Sequence, residues 1–193
     1  MTPEEVIGRF KDKGALLEGH FVLSSGLHSP VYLQCAIALQ RPEDASEFGE
    51  ALAQHFMGQE IETVASPAIG GLVIGYEVAR HLGARFIWTE RESGTMTLRR
   101  GFTVREGESV LVVEDVITTG GSTRETIKAL SGAGAHVRGA ASIIDRSSGQ
   151  ADVGVPRVAL ATLNVPAVDP AACGLCAKQI PATKPGSRKE GNA

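Results

Sequence analysis

The chain has 193 residues, with 22 acidic residues against 19 Lys+Arg, a formal charge of -3 and 42% hydrophobic residues. That balance excludes a chain too polar to bury a core, and it gives no global attraction to nucleic acid or to an anionic membrane. Three cysteines are too few for a disulfide scaffold, Met1 to Glu5 lacks the basic-then-apolar order of a signal peptide, and no apolar run reaches the ~18 residues of a membrane span, so a cytoplasmic protein is expected.

The first element is a helix from Thr2 to Leu17. Thr2 can cap it, Pro3 suits its first turn, Glu4 and Glu5 oppose the positive end of its dipole, and Val6, Phe10 and Leu17 form its apolar face. Short strands follow at His20–Leu23 and Val31–Leu33, around a turn from Ser24 to Pro30. Pro42 to Phe56 reads as a helix with Phe48, Leu52 and Phe56 on one stripe. Strands are then expected at Glu62–Ala65, Ala84–Trp88, Ser109–Glu114, His136–Ile144 and Arg157–Leu163. Helices are expected at Gly71–Leu82, stopped by Gly83, and at Ser122–Leu130, ended by Gly132 and Gly134. Short apolar strands alternating with helices predict an α/β fold whose central, mostly parallel sheet is covered on both faces. Ligands of such sheets bind beyond the carboxyl ends of the strands. From Lys178 the chain is rich in Pro, Gly, Lys and Arg and reads as a mobile tail; its basic stretch Lys184 to Lys189 reads as a solvated terminus.

Glycine is in excess, 23 residues, well above the usual ~7%. The most informative pair lies in Val110-Leu111-Val112-Val113-Glu114-Asp115-Val116-Ile117-Thr118-Thr119-Gly120-Gly121-Ser122-Thr123. A buried strand runs into two adjacent carboxylates, and a Thr-Thr-Gly-Gly-Ser-Thr turn then opens a helix. Backbone N–H groups and hydroxyls in such a turn surround an anion, and the helix N-terminus adds positive partial charge. The string is neither a Walker loop nor a dinucleotide G-x-G-x-x-G. Two carboxylates beside a phosphate cradle repel it unless a ribose or Mg²⁺ lies between, so the string points to a ribose 5-phosphate site. The bland alternative is a glycine-rich helix cap with solvated acids.

This string resembles the phosphoribosyl pyrophosphate signature of the type I phosphoribosyltransferases, and the orotate phosphoribosyltransferase branch is the nearest match. Gly19 to Gly26 followed by Ser29 to Leu33 resembles that branch's N-terminal hood. Pro67-Ala68-Ile69-Gly70-Gly71 stands where the family has its pyrophosphate loop, and Ile143-Ile144-Asp145-Arg146 resembles the strand end that offers an arginine to orotate. The likeness spans roughly Gly14 to Leu163. It implies the type I phosphoribosyltransferase fold with a hood segment over 1–40, a core over 41–165 and a C-terminal segment over 166–193.

The resemblance implies a Mg²⁺-dependent transfer of ribose 5-phosphate from phosphoribosyl pyrophosphate to orotate, giving orotidine 5'-monophosphate, by a cytoplasmic homodimer that needs neither nucleic acid nor membrane. Glu114, Asp115 and Arg91 would be catalytic. Glu114, Asp115, Val116, Ile117, Thr118, Thr119, Gly120, Gly121 and Ser122, with Ala68, Ile69, Gly70 and Arg91, would bind phosphoribosyl pyrophosphate. Thr118, Arg146 and Tyr32 would bind orotate. Mg²⁺ would be held mainly by substrate, with Asp115 as the side chain nearest to a ligand. Thr89 to Phe102 falls where the family has a mobile loop that closes over the substrates, with Arg91, Arg99 and Arg100 as its cations; a solvated β-hairpin is the alternative for these arginines. Better-known members carry lysines where this chain has Ser24, Gly70 and Arg91. The departures leave two other readings: a phosphoribosyltransferase for a purine or another base, and a non-catalytic regulator that binds phosphoribosyl pyrophosphate. Cys173-Gly174-Leu175-Cys176 has the spacing of half a zinc knuckle. No second half is evident, His20 and His28 read as packing or surface residues, and two free thiols in a turn are expected.

Overall fold

The structure, a computed structural model, describes residues 1–23 and 25–185. Ser24, and the part of the basic tail beyond residue 185, lie outside the described residues.

Helix α1 spans Pro3–Asp12 and is capped as its sequence requires. The Thr2 hydroxyl accepts the Glu5 amide at 3.2 Å, and the Glu5 carboxylate accepts the Thr2 amide at 2.7 Å. The helix stops before Leu17, because Gly14 takes a left-handed φ of 65° and the chain turns into a strand. Strands β1 (Leu16–Val22) and β2 (His28–Leu33) pair antiparallel as a separate hairpin, the hood. Its register shifts by one residue between Glu18 and Phe21. A short helix α2 (Cys35–Ala38), not expected from the sequence, leads to α3 (Pro42–Ala53) and a 3₁₀ turn ending at Phe56.

The core alternates β3 (Thr63–Pro67), α4 (Gly71–Leu82), β4 (Arg85–Glu92), β5 (Thr95–Leu98), β6 (Ser109–Ile117), α5 (Gly121–Gly132), β7 (His136–Asp145) and β8 (Arg157–Thr162). Gly83 ends α4 at a left-handed φ of 66°, as its place after the last periodic residue predicts. The sheet order is β5-β4-β3-β6-β7-β8, with every pair parallel except the edge hairpin β4–β5. A last short helix, α6 (Gly174–Ala177), follows the core.

Strand β6 reads as an unbroken apolar run because both of its faces are covered. Leu111 and Val113 join Phe10, Phe48, Leu52, Ile74 and Val78 on the α1, α3 and α4 side, whereas Val110 and Val112 join Ile87 and Leu130 on the α5 side. All of these side chains are buried. Helix α1 therefore packs on the core sheet, and Leu16, Val31 and Leu33 of the hood hairpin join the same cluster.

The segment 178–185 is not the loose tail its composition suggested. Thr183 bridges Phe21 in parallel and exchanges backbone bonds with the hood, Val22 N–H to Thr183 C=O at 2.8 Å and Thr183 N–H to His20 C=O at 2.9 Å. On the other side of the hairpin, His28 and Val168 exchange backbone bonds at 2.8 and 2.9 Å. The hood hairpin is thus flanked on both edges by the C-terminal segment.

Close helix packing generates one prediction. At Gly49 of α3 a Cβ would stand 2.5 Å from the Glu77 Cβ and 3.0 Å from the Glu77 backbone carbon of α4. Helix propensity alone would make Gly49→Ala stabilising by about 1 kcal/mol. Because the obstacle includes backbone, the variant should instead lose about 1–3 kcal/mol of stability to overpacking, read as a lower denaturation midpoint in urea.

Candidate active site

Four segments meet beyond the carboxyl ends of the parallel strands. The end of β6 brings Glu114 and Asp115, followed by the loop Thr118 to Gly120 and the N-terminus of α5. The loop after β3 brings Ala68, Ile69 and Gly70, with a cis peptide between Ala68 and Ile69. The end of β7 brings Arg146, whose amide donates to the Ile117 carbonyl at 2.8 Å. The end of β4 brings Arg91.

The loop has the form its sequence predicts. Gly120 sits at φ 75°, a conformation that disfavours a Cβ, and Gly121 begins α5. A cavity of about 230 Å³ over this helix start is lined by Arg91, Glu114, Val116, Ile117, Thr118, Thr119, Gly120, Gly121, Ser122, Thr123 and Glu125. Two residues that sequence reasoning missed hold its walls. Arg124 donates to the Thr119 carbonyl at 2.8 Å and to the Asp152 carbonyl at 2.6 Å, which ties the loop to the segment after β7. Glu125 accepts a short 2.5 Å bond from the Arg91 guanidinium, which also reaches the Gly94 carbonyl. Contacts of this kind join residues about 30 apart in the chain, and no local pattern announces them.

Thr89 to Phe102 is largely a β-hairpin, β4 turning at Ser93-Gly94 into β5. Arg99 and Arg100 pair with Glu90, and Arg99 also with Glu92. Of the three arginines, only Arg91 lines the cavity over the phosphate loop.

A larger cavity of about 820 Å³ separates hood and core. Tyr32, Thr118 and Arg146 line it together, with Thr119, Leu23, Val165 and, from the C-terminal segment, Lys184 and Pro185. The Tyr32 ring leans on Phe21, centroids 5.7 Å apart. Arg146 Nε is buried and has no hydrogen-bond partner among the described residues. A guanidinium N–H in that state is a donor awaiting an acceptor. Its neighbour Asp145 is already engaged, bonded by Ser147 at 2.6 and 2.7 Å and by Arg157 at 3.0 and 3.1 Å.

The acid pair is the electrostatic centre. Glu108 just before β6 and Glu114 within it are both little exposed, at 4% and 8%, but Glu114 lies deeper and their surroundings are opposite. Burial pushes Glu108 up, but the Thr63 hydroxyl, the Arg105 amide and the Arg85 guanidinium outweigh it, and its pKa lies below the ordinary value. Among the described residues no cation pairs with Glu114. Burial first, and then the neighbouring Asp115 charge, push its pKa up to about 9. Burial likewise raises Asp115, against bonds from the Val116 amide and the Cys35 thiol. Cys35, unnoticed in the sequence, is in turn pushed well up by burial and by Asp115. The β3–α4 loop lies directly against this pair: a Cβ on Gly70 would stand 2.7 Å from Asp115 Oδ1, and one on Gly71 would stand 2.8 Å from the Val113 carbonyl oxygen. Only glycine leaves the acids room.

This geometry is that of a phosphorylated-sugar site at the end of a parallel sheet. Residues 38–164 match the model of the phosphoribosyl transferase domain. Over 98% of the chain, 51% of residues are identical to the orotate phosphoribosyltransferase of Pelotomaculum thermopropionicum, all of which is covered. The orotate phosphoribosyltransferase of Thermotoga maritima is 54% identical over 91% of the chain and 94% of its own length. Among solved structures, orotate phosphoribosyltransferase from Aeropyrum pernix superposes with a TM-score of 0.65 at 30% identity, covering 82% of this chain and 93% of that one. Adenine phosphoribosyltransferase from Rhodothermus marinus shares the fold at 24% identity and a TM-score of 0.62. The chain belongs to the phosphoribosyltransferase family, within its orotate phosphoribosyltransferase branch.

The raised Glu114 pKa has a definite sign in stability. The unfolded carboxyl ionises near its ordinary 4.5 and the folded one only near 9. Between these values the folded state holds more protons, so its stability falls as pH rises through that window. Without substrate or Mg²⁺, Glu114→Gln should flatten this decline and raise the melting temperature at about pH 8 by roughly 3 °C or more, at ~2–4 °C per kcal/mol for a chain of this size. Thermal scans across that window check it; a variant no more stable than the parent at alkaline pH would show that Glu114 is not strained.

Proposed function

We propose that the chain transfers ribose 5-phosphate from phosphoribosyl pyrophosphate to orotate, giving orotidine 5'-monophosphate and pyrophosphate in pyrimidine nucleotide synthesis. The observation that carries the reading is Arg146. It lines the hood cavity beside Thr118 and Thr119, which also line the cavity over the α5 N-terminus, and its buried Nε has no hydrogen-bond partner among the described residues. A planar guanidinium grips a carboxylate with paired hydrogen bonds, and orotate is a planar base with a carboxylate.

In this reading the amides and hydroxyls of Thr118 to Ser122 receive the 5-phosphate at the α5 N-terminus, Glu114 and Asp115 accept hydrogen bonds from the ribose hydroxyls, and Tyr32 and Thr118 bound the base. The amides of Ala68, Ile69 and Gly70 and the guanidinium of Arg91 face the pyrophosphate. The bond from C1 to pyrophosphate loosens as positive charge grows on the ribose, and the two carboxylates below stabilise that charge. Positioning and electrostatics supply the catalysis. The buried acid pair without a cation suits a hard divalent ion, so Glu114 and Asp115 would hold Mg²⁺ together with the substrate, and it would neutralise charge on the leaving pyrophosphate.

The enzyme works in the cytoplasm as a homodimer in this proposal. Among the described residues no helix is long and apolar enough to cross a membrane. Ile69, Val73 and Tyr76 are exposed at helical spacing along the start of α4, an apolar stripe that a second copy would cover.

Purified protein with Mg²⁺ and phosphoribosyl pyrophosphate should consume orotate, followed as loss of its ultraviolet absorbance. Consumption of a purine base instead, or binding of phosphoribosyl pyrophosphate with no base consumed, would overturn the proposal. Arg146→Ala should raise the KM for orotate by about tenfold or more, the worth of a hydrogen bond to a charged group, and should leave the KM for phosphoribosyl pyrophosphate within about twofold. An unchanged orotate KM would remove Arg146 from the base site.

A further inference from the structure

The other half of the Cys173–Cys176 knuckle is present in space. His20 and His28 come to the two cysteines, and the four ligand atoms lie within 4.8 Å of one another. We propose that His20, His28, Cys173 and Cys176 form a structural zinc site that fastens the C-terminal segment to the hood.

Four of the six separations between the ligand atoms lie at 2.8–3.7 Å, near the edges of a coordination tetrahedron. His20 Nε2 is 2.8 Å from His28 Nδ1, 3.4 Å from the Cys173 sulfur and 3.7 Å from the Cys176 sulfur, and the Cys176 sulfur is 3.2 Å from His28 Nδ1. With Zn–N near 2.0–2.1 Å and Zn–S near 2.3 Å, a tetrahedral ion requires edges of about 3.3–3.8 Å. Small outward movements of these side chains would therefore admit the ion. Three of the four residues are buried and Cys176 is half-buried. The donor set, two thiolates and two imidazoles, suits zinc, whereas Mg²⁺ prefers oxygen.

The surroundings orient the ligands as metal sites do. His20 Nδ1 lies 2.7 Å from the Ile180 carbonyl, which accepts a proton only from an Nδ1–H tautomer. That tautomer leaves the Nε2 lone pair directed at the cluster. Ile180 belongs to the same segment as the cysteines, so one turn supplies two ligands and the orienting group. The one-residue register shift in the hood hairpin matters equally. It sets Val22 opposite His28. Side chains alternate along a strand, so His28 then shares the face of His20, two residues before Val22. Without the shift the two rings would lie on opposite faces.

The consequence reaches the base cavity. Residues 173–180 lead directly into Thr183, which pairs with the hood, and into Lys184 and Pro185, which line the cavity beside Arg146. A zinc ion would close a loop between residue 20 and residue 176 and hold that lining in place.

The test needs no enzyme activity. Full-length protein, stripped by a chelator and reconstituted with zinc, should retain about one zinc per chain after desalting, measured by plasma mass spectrometry. Reconstitution with Co²⁺ should give the thiolate charge-transfer bands and intense visible bands of a tetrahedral site. The double variant Cys173→Ser, Cys176→Ser should lose both signals. Zinc should raise the melting temperature of the parent and not that of the variant. Metal retained equally by the variant, a Cys173–Cys176 disulfide in its place, or a reconstituted parent without stoichiometric metal would overturn the proposal. The cobalt spectrum of the parent decides the matter even if the variant does not fold.

Discussion

Two carboxylates held side by side in a buried strand end, with no cation among the described residues to pair them, are the constraint on which the rest of this structure turns. Burying one ionised carboxylate without a partner costs several kcal/mol, and a second beside it adds repulsion. At Glu114 and Asp115 that cost appears as raised pKa values, Glu114 keeping its proton up to about pH 9, whereas Glu108, a few residues earlier and less deep, stays below the ordinary carboxylate range because Thr63, the Arg105 amide and Arg85 surround it. The contrast divides β6 by role. Its amino end is locked to its neighbours, and its carboxyl end is left wanting donors. In the proposed reading a ribose diol and Mg²⁺ would supply what is missing, so the strain would become affinity for a ligand that carries hydroxyls, charge and metal together.

The neighbouring elements follow from that choice. Gly70 and Gly71 are forced, because any side chain there would enter the acids or the β6 backbone. Gly120 is forced by its left-handed φ, and with Gly121 it lets the α5 N-terminus approach a phosphate. The positive side of the site is built sparingly. Arg91 and Arg146 reach it from the ends of β4 and β7, and oriented amides supply the rest. A chain with net charge -3 can therefore bind a polyanionic sugar without a basic surface.

What was legible in the sequence was local. The cradle is one contiguous string whose chemistry and conformation are encoded by adjacent residues, and Gly71, Gly83 and Thr2 mark helix ends by rules that act over a few positions. The alternation of apolar strands and helices carries the parallel sheet and the two-faced burial of β6, the choice of Tyr32, Thr118 and Arg146 rests on the family resemblance, and the strand order is seen only in the structure. What was not legible depends on register and on backbone pairing. Thr89 to Phe102 has two readings, a mobile loop by resemblance and a solvated β-hairpin, and only the cross-strand pairing of Glu90 with Arg99 and Arg100 selects the hairpin. Residues 178–185 read as loose because their side chains are polar or small. Their order comes from main-chain bonds to the edges of the hood, which composition does not reveal. Leu17 fits a helical stripe but belongs to β1, since Gly14 breaks the helix first.

The hood presents the hardest problem of stability in the molecule. A two-stranded hairpin is marginal by itself, and this one meets the core cluster through Leu16, Val31 and Leu33 while it also borders a cavity of about 820 Å³. Hydrophobic burial cannot hold it on that side without closing the site. The chain recruits other means. Backbone pairing occupies both hairpin edges, Thr183 on one and Val168 on the other, and the His20, His28, Cys173 and Cys176 cluster gathers the hairpin and the C-terminal segment at one point. All of these contacts lie outside the base cavity. The fold can therefore keep the hood positioned while the space beneath it stays open, and the charged strand end can remain unsatisfied until substrate arrives.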